Sequence, residues 1–203
     1  EDSDIFQRWM LAGYELVQSR DAFVYHLTCR GHRWTEEVGK DDDYFKQVSA
    51  RASRNYIRKW GSWISNDEYQ HPIIIPKYNI ALVVQNCTLH ILEVLEPWCD
   101  RIYIEDDMQV ILASYIEIEQ KNTSFDLTKR IFCIGYNDPN AESGVVVAFD
   151  AKLLTTTNFQ LIQQLPQIIK DNGSVGAFEL DIFKIAIHNM QEHQFNNLIS
   201  HNL

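Results

Sequence analysis

Several things are missing from this 203-residue sequence, and each absence removes a class of function. The longest apolar runs, "HPIIIP" and "IALVV", fall far short of the roughly 18–20 residues a bilayer span needs, so no membrane span is expected. Positive charge is scarce. Lys and Arg number 18 against 28 Asp and Glu, a net charge of −10. That balance argues against a sequence-independent nucleic-acid binder, which needs cations to displace counterions from phosphates. No G-x-G-x-x-G, Walker loop, G-x-S-x-G or H-E-x-x-H occurs, so the common nucleotide, hydrolase and zinc-protease signatures are out. There is no internal repeat and no low-complexity tract. The four cysteines, Cys29, Cys87, Cys99 and Cys133, include no C-x-x-C pair. In a chain of this length they read as reduced core residues of a cytoplasmic protein.

What is present is ordinary globular composition, 45% hydrophobic and 23% charged, in a chain long enough for one large domain or two small ones. Residues 3–12 predict a short amphipathic helix with Ile5, Phe6, Trp9 and Met10 on its apolar face, preceded by acids and stopped by Gly13. "YELVQS" and "AFVYHLT" read as extended pieces, and 29–43 as a polar loop. A second helix is expected over 43–60. Tyr44, Val48, Ala52 and Tyr56 form its apolar stripe, "DDD" its start and "KWG" its close.

The periodicity stops at 61–77, where two prolines bracket "III"; this is the best domain boundary in the chain. From 78 onward strands and helices alternate. The strands are "YNIALVVQN", "RIYIED", "RIFCIG" and "GVVVAFDA". The helices are "TLHILEVLEPWC", started by Thr88, and "NFQLIQQLPQIIKDNG", kinked at Pro166; between them "MQVILASYIEIEQ" reads as a helix or a mixed segment. "VGAFELDIFKIAIHN" reads as one last strand, bulged at Ile182–Phe183. This alternation predicts a small α/β domain with a mostly parallel or mixed sheet. The expected layout is 1–65, a 66–77 linker, an α/β domain at 78–190 and a frayed tail at 191–203.

The opening "EDSDIFQRWMLAGYE" raises a separate question. Acids ahead of a helix have a plain structural use, because they satisfy free amides and the helix dipole. Here the acids lead an amphipathic helix, then "AGYEL", an extended piece and His26. That order resembles the rear of family 2 glycosyltransferases of the type-A fold, in which an acidic motif opens a helix that an "AGY" closes. "RNYIRKWG" is similar to the sequence closing the catalytic domain of some phage- and virus-encoded members. The resemblance implies that residues 1–65 are the C-terminal part of a catalytic domain whose front half is absent from this sequence. It implies Glu1 and Asp2 as the acidic pair, Asp2 as general base, and His26 as ligand of a divalent metal such as Mn or Mg. It implies a nucleotide-sugar donor and a glycan or other hydroxyl acceptor.

The chemistry suits those residue types. Sugar transfer needs a carboxylate to take the acceptor proton, and a cation or metal to meet the charge growing on the nucleoside diphosphate. In "CRGHRW", Arg30, Arg33 and Trp34 follow His26 in a loop and are the candidate substrate contacts. Arg51, Arg54 and Arg58 share one face of the second helix and are expected to be solvated. "EDD" at Glu105–Asp107 follows a strand, where acids commonly begin the next turn, and comes after the base rather than before it. It is not taken as the family's metal motif. The competing reading is a non-catalytic α/β ligand-binding or protein-interaction module with a helical N-terminal arm.

Overall fold

A computed structural model describes residues 2–17, 19, 21–22, 42–105, 109–134 and 139–195. The first helix, α1 (Asp2–Leu11), lies within one residue of the expected 3–12 at each end. Gly13 takes a left-handed φ of 82°. The amide of Tyr14 donates to the Trp9 carbonyl and that of Gly13 to the Met10 carbonyl, a paired closure that glycine makes easy. Helix α2 (Asp43–Trp60) matches its expected span. The Asp42 carboxylate accepts from the Tyr44 amide at 2.9 Å, and Gly61 closes the far end at a φ of 77°.

The stripe expected to bury α2 is not its core face. Tyr44 is 73% exposed and Ala52 is exposed, whereas Ile57, Arg58 and Trp60 are buried. Only the last turn and a half of α2 reaches the core, so the apolar pattern of its first turns meets solvent instead. Two short strands, β1 (Ser65–Asn66) and β2 (Pro72–Ile73), then pair as a small antiparallel ribbon on which α1 rests.

The α/β alternation appears as a mixed six-stranded sheet. The strands are β3 (Ile80–Gln85), β4 (Arg101–Ile104), β5 (Ile131–Cys133), β6 (Val145–Asp150), β7 (Gly176–Leu180) and β8 (Phe183–Ile187), in spatial order β5-β4-β3-β6-β8-β7. β3 pairs in parallel with β4 and β6, and β4 with β5; β8 is antiparallel to β6 and β7. The helices are α3 (Leu89–Leu95), α4 (Gln109–Glu119), the short α5 (Pro139–Glu142), α6 (Thr156–Gln163) and α7 (Leu165–Asn172). Thr88 caps α3 as expected. The helix expected to kink at Pro166 is divided at Gln164, and proline occupies the first turn of α7, where its missing amide costs nothing.

"VGAFELDIFKIAIHN" is not one bulged strand. It is a hairpin, β7–β8, with Leu180 opposite Phe183 and a two-residue loop whose Asp181 has a φ of 52°. Asp tolerates this left-handed conformation, so the turn carries no glycine to announce it.

Alternation along the strands sorts the two sheet faces. Ile80, Leu82, Val84, Ile102, Ile104, Val145, Val147, Ile185 and Ile187 face the helices, packing with Leu92 and Leu95 of α3, Tyr115 of α4, Ile162 of α6 and Ile169 of α7. The opposite face holds a smaller cluster of Ala81, Tyr103 and Val146 with Val83, Phe132 and Ile134. The main core therefore lies in a single helix–sheet layer. The stretch expected as a frayed tail is fastened in its described part: His193 donates its amide to the Lys77 carbonyl at 2.7 Å, and Phe195 packs on Trp60 at 5.1 Å between ring centroids.

Candidate functional site

Of the residues the sequence nominates, Asp2 is the first residue of α1. Glu1, His26, Arg30, Arg33 and Trp34 lie outside the described residues. The acid that can be followed is Asp4. Its Oδ1 accepts from Lys59 Nζ at 2.5 Å and from Trp60 Nε1 at 2.8 Å, so it fastens α1 to the end of α2. Sequence reasoning missed this role, because nothing in the spacing of Asp4 and Trp60 forecasts their meeting. The seating also turns α1 over. Gln7 is buried, while Phe6 and Trp9 of the expected core face are 40% and 46% exposed and contact each other at 5.8 Å.

Beside this joint lies a cleft of about 260 Å³, lined by Ser3 of α1, by Ser49, Ser53 and Tyr56 on one flank of α2, and by Trp63 and Ile64 beyond it. None of these side chains is charged. The Tyr56 hydroxyl is buried without a hydrogen-bond partner. Burial, with the nearby Asp4 charge, pushes its pKa up to about 12.

The other flank of α2 carries the arginines, and only part of the expected solvated face is solvated. Arg51 has no hydrogen-bond or ion-pair partner among the described residues. It lines an open cleft of about 360 Å³ with Tyr44, Gln47, Arg54 and Asn122. Arg54 is held by both oxygens of Glu119, each at 2.9 Å. Arg58 is fully buried. It bonds Glu96 at 2.9 and 2.6 Å and Glu119 at 2.8 Å, and Arg130 reaches the same Glu96 at 2.6 Å. Burial alone would lower the pKa of Arg58, but the hydrogen bonds and charges of the two glutamates outweigh it and raise the pKa. Arg54 and Arg58 are thus structural cations, and of these three α2 arginines Arg51 is the one with no ionic partner among the described residues.

In open α/β sheets ligands favour the carboxyl ends of the strands where the strand order reverses, here between β3 and β6. That position is occupied by its own polar groups. Asn86, at a φ of 53°, donates its backbone amide to Glu105 Oε2 at 2.7 Å and its side-chain amide to Asp150 Oδ1 at 2.9 Å. Glu105 therefore serves as a turn partner at a strand end. Asp106 and Asp107 lie outside the described residues. Cys87 and Cys99 are buried free thiols and Cys133 is a half-buried one. Burial pushes the Cys87 thiol up to about 12, with Glu105 adding to the effect, so the group is not a nucleophile at neutral pH.

Among the described residues no group of three or more His, Cys, Asp or Glu side chains converges as a metal site requires, and no helix is long and apolar enough to cross a membrane. No protein-family model, curated protein or solved structure matches this chain.

Proposed function

We propose that this chain is the C-terminal part of a glycosyltransferase that moves a sugar from a nucleotide-sugar donor to a hydroxyl acceptor, with Asp2 as general base. The observation that carries the reading is the seating of α1. Asp2 opens the helix, Gly13 closes it, and Asp4 pins it to α2 beside a cleft with an uncharged lining that begins at Ser3, the residue after Asp2. A base for this reaction must be ionised before it meets the acceptor. The first turn of a helix favours that state, because its free amides and dipole stabilise negative charge. In the transfer the acceptor O–H gives its proton to the carboxylate as its oxygen bonds to the anomeric carbon. The bond from that carbon to the diphosphate breaks, and the nucleoside diphosphate leaves with the electron pair.

In this reading residues 1–65 close the catalytic domain and 78–190 form the appended α/β unit. Arg30, Arg33 and Trp34 contact the donor or acceptor. His26 would help hold a divalent metal, Mn or Mg, that meets the leaving charge; the described residues contain no ligand set of their own for it.

The test is transfer by the product of the complete gene, assayed with a panel of nucleotide sugars and glycan acceptors. Asp2→Asn is expected to lower kcat about 10²–10⁴-fold with donor KM little changed. Full transfer by Asp2→Asn removes Asp2 from the chemistry. A complete protein that neither binds nor turns over any nucleotide sugar favours the non-catalytic module instead.

A further inference from the structure

We propose that the cleft between α1, α2 and Trp63 is a subsite for one neutral pyranose ring. The glycosyltransferase reading is needed only to name that ring as the acceptor sugar; the binding itself stands on the lining.

Four features of that lining select the ligand. First, the described lining carries no charged side chain and the neighbouring Asp4 is already held by Lys59 and Trp60, so the cleft does not suit a diphosphate or a uronate, which would lie in it unpaired. Second, at about 260 Å³ it falls just below the roughly 300–1,000 Å³ of sites for drug-sized ligands, a fit for a single ring and not for a nucleotide. Third, the hydroxyls of Ser3, Ser49 and Ser53 make no hydrogen bond within the described residues. Each offers one donor and two acceptor positions, the same valence as the sugar hydroxyls it would meet. Fourth, Trp63 is 45% exposed yet fixed. It stands edge-on to the buried Trp98 at 6.1 Å and 71°, and Trp98 stands edge-on to Phe159 at 6.0 Å and 90°. A braced indole offers a flat apolar face to the C–H face of a pyranose at little ordering cost.

Placement ties the subsite to the chemistry. Ser3 follows Asp2 directly, with consecutive Cα atoms about 3.8 Å apart, so a ring bound against Ser3 is presented to the first turn of α1. The Arg51 cleft on the opposite flank of α2 is the natural control, since its chemistry calls for an anion.

The experiment is a titration of the 203-residue chain, read by saturation-transfer NMR, with the methyl glycosides of glucose, galactose, mannose and N-acetylglucosamine. At least one is expected to bind in the millimolar range. Trp63→Ala, which removes the platform, and Ser53→Leu, which fills the cleft from α2, should each weaken that binding about tenfold or more. Arg51→Ala should leave it unchanged, and inorganic pyrophosphate should not compete. Failure of all four glycosides to bind overturns the proposal, as does wild-type affinity in both cleft variants. The complete enzyme separates this failure from that of the functional reading. Normal acceptor KM in Trp63→Ala sinks the subsite and spares Asp2, whereas sugar binding without any transfer does the reverse.

Discussion

Removing the charge of Glu96 should be the most damaging isosteric change in this molecule. Glu96 is fully buried in the turn Glu96–Trp98 that follows α3. Its Oε2 takes Arg58 Nε at 2.9 Å, Arg58 Nη2 at 2.6 Å and the Tyr115 hydroxyl at 3.3 Å, while Oε1 takes Arg130 Nε at 2.6 Å. Glu96→Gln keeps the volume, deletes the charge and turns one acceptor into a donor facing guanidinium donors. Arg58 keeps Glu119, at 2.8 Å, but Arg130 loses its only salt-bridge partner among the described residues. Breaking a buried ion pair from one side costs about 3–5 kcal/mol, because the partner charge stays behind unpaired. Set against total stabilities of about 5–15 kcal/mol, that is a large share.

In equilibrium urea unfolding followed by tryptophan fluorescence, a slope of about 2 kcal/mol/M makes this a fall in midpoint of about 1.5–2.5 M. Adding Arg58→Met removes one of the two guanidiniums that face Glu96, so the double variant should lose about 1–3 kcal/mol less than the two single losses added together. A Glu96→Gln protein within about 1 kcal/mol of wild type would refute the assignment of this cluster as a mutually dependent network.

Two further outcomes test the joints around that network. Asp100 accepts the Ile80 amide at 3.2 Å and lies 3.3 Å from Lys77 Nζ and 3.5 Å from His193 Nε2. Burial alone would raise its pKa, but the His193 hydrogen bond and the charges of Lys77, His193 and Arg130 bring it from the ordinary 3.8 to about 2. The folded value is the lower one, so the unfolded chain takes up the proton first as pH falls. The stabilisation is complete above about pH 4 and is lost between about pH 4 and pH 2. At ~1.4 kcal/mol per pKa unit it amounts to about 2 kcal/mol. Wild type should therefore lose about 2 kcal/mol more than Asp100→Asn between pH 5 and pH 2 in urea titrations, and parallel acid profiles would contradict this. At the β7–β8 loop, Asp181→Gly should raise stability by about 0.5–1 kcal/mol by relieving the left-handed backbone, and Asp181→Val should lower it; equal melting temperatures for the two variants would rule this out.

The α/β half was legible because its signals are local. Buried parallel strands are continuous apolar runs such as "IALVV" and "VVV", Thr88 caps α3, and Gly61 and Gly173 close α2 and α7 in left-handed conformations. The β7–β8 hairpin was not legible, since Asp181 supplies the turn without a glycine. The burial of α2 was misread for a different reason. Its apolar periodicity at Tyr44, Val48 and Ala52 is genuine, but burial is decided by which turn of the helix meets the Glu96–Trp98 turn, and that turn holds Arg58. No sequence pattern marks an arginine as buried before its glutamates are located 38 and 61 positions downstream. The opening acids were readable as a helix start. The tie from Asp4 to Trp60 spans 56 positions and was not.

These long-range ties bear on how the two halves of the chain work together. The break in periodicity at 61–77 marks a change of local pattern, yet tertiary contacts run across it. Arg58 and Ile57 are buried with residues of the sheet unit, Lys77 Nζ donates back to the Arg58 carbonyl at 2.8 Å, and Trp60 packs on Phe195. The path from sheet to α1 is therefore short: Arg130 pairs with Glu96, Glu96 with Arg58 on α2, and Lys59 and Trp60, the next two residues of α2, hold Asp4. A general base depends on being held within a fraction of an ångström of its proton. In the proposed enzyme the α/β unit does not need a catalytic residue of its own to matter. It fixes the end of α2, and α2 fixes the helix that Asp2 begins.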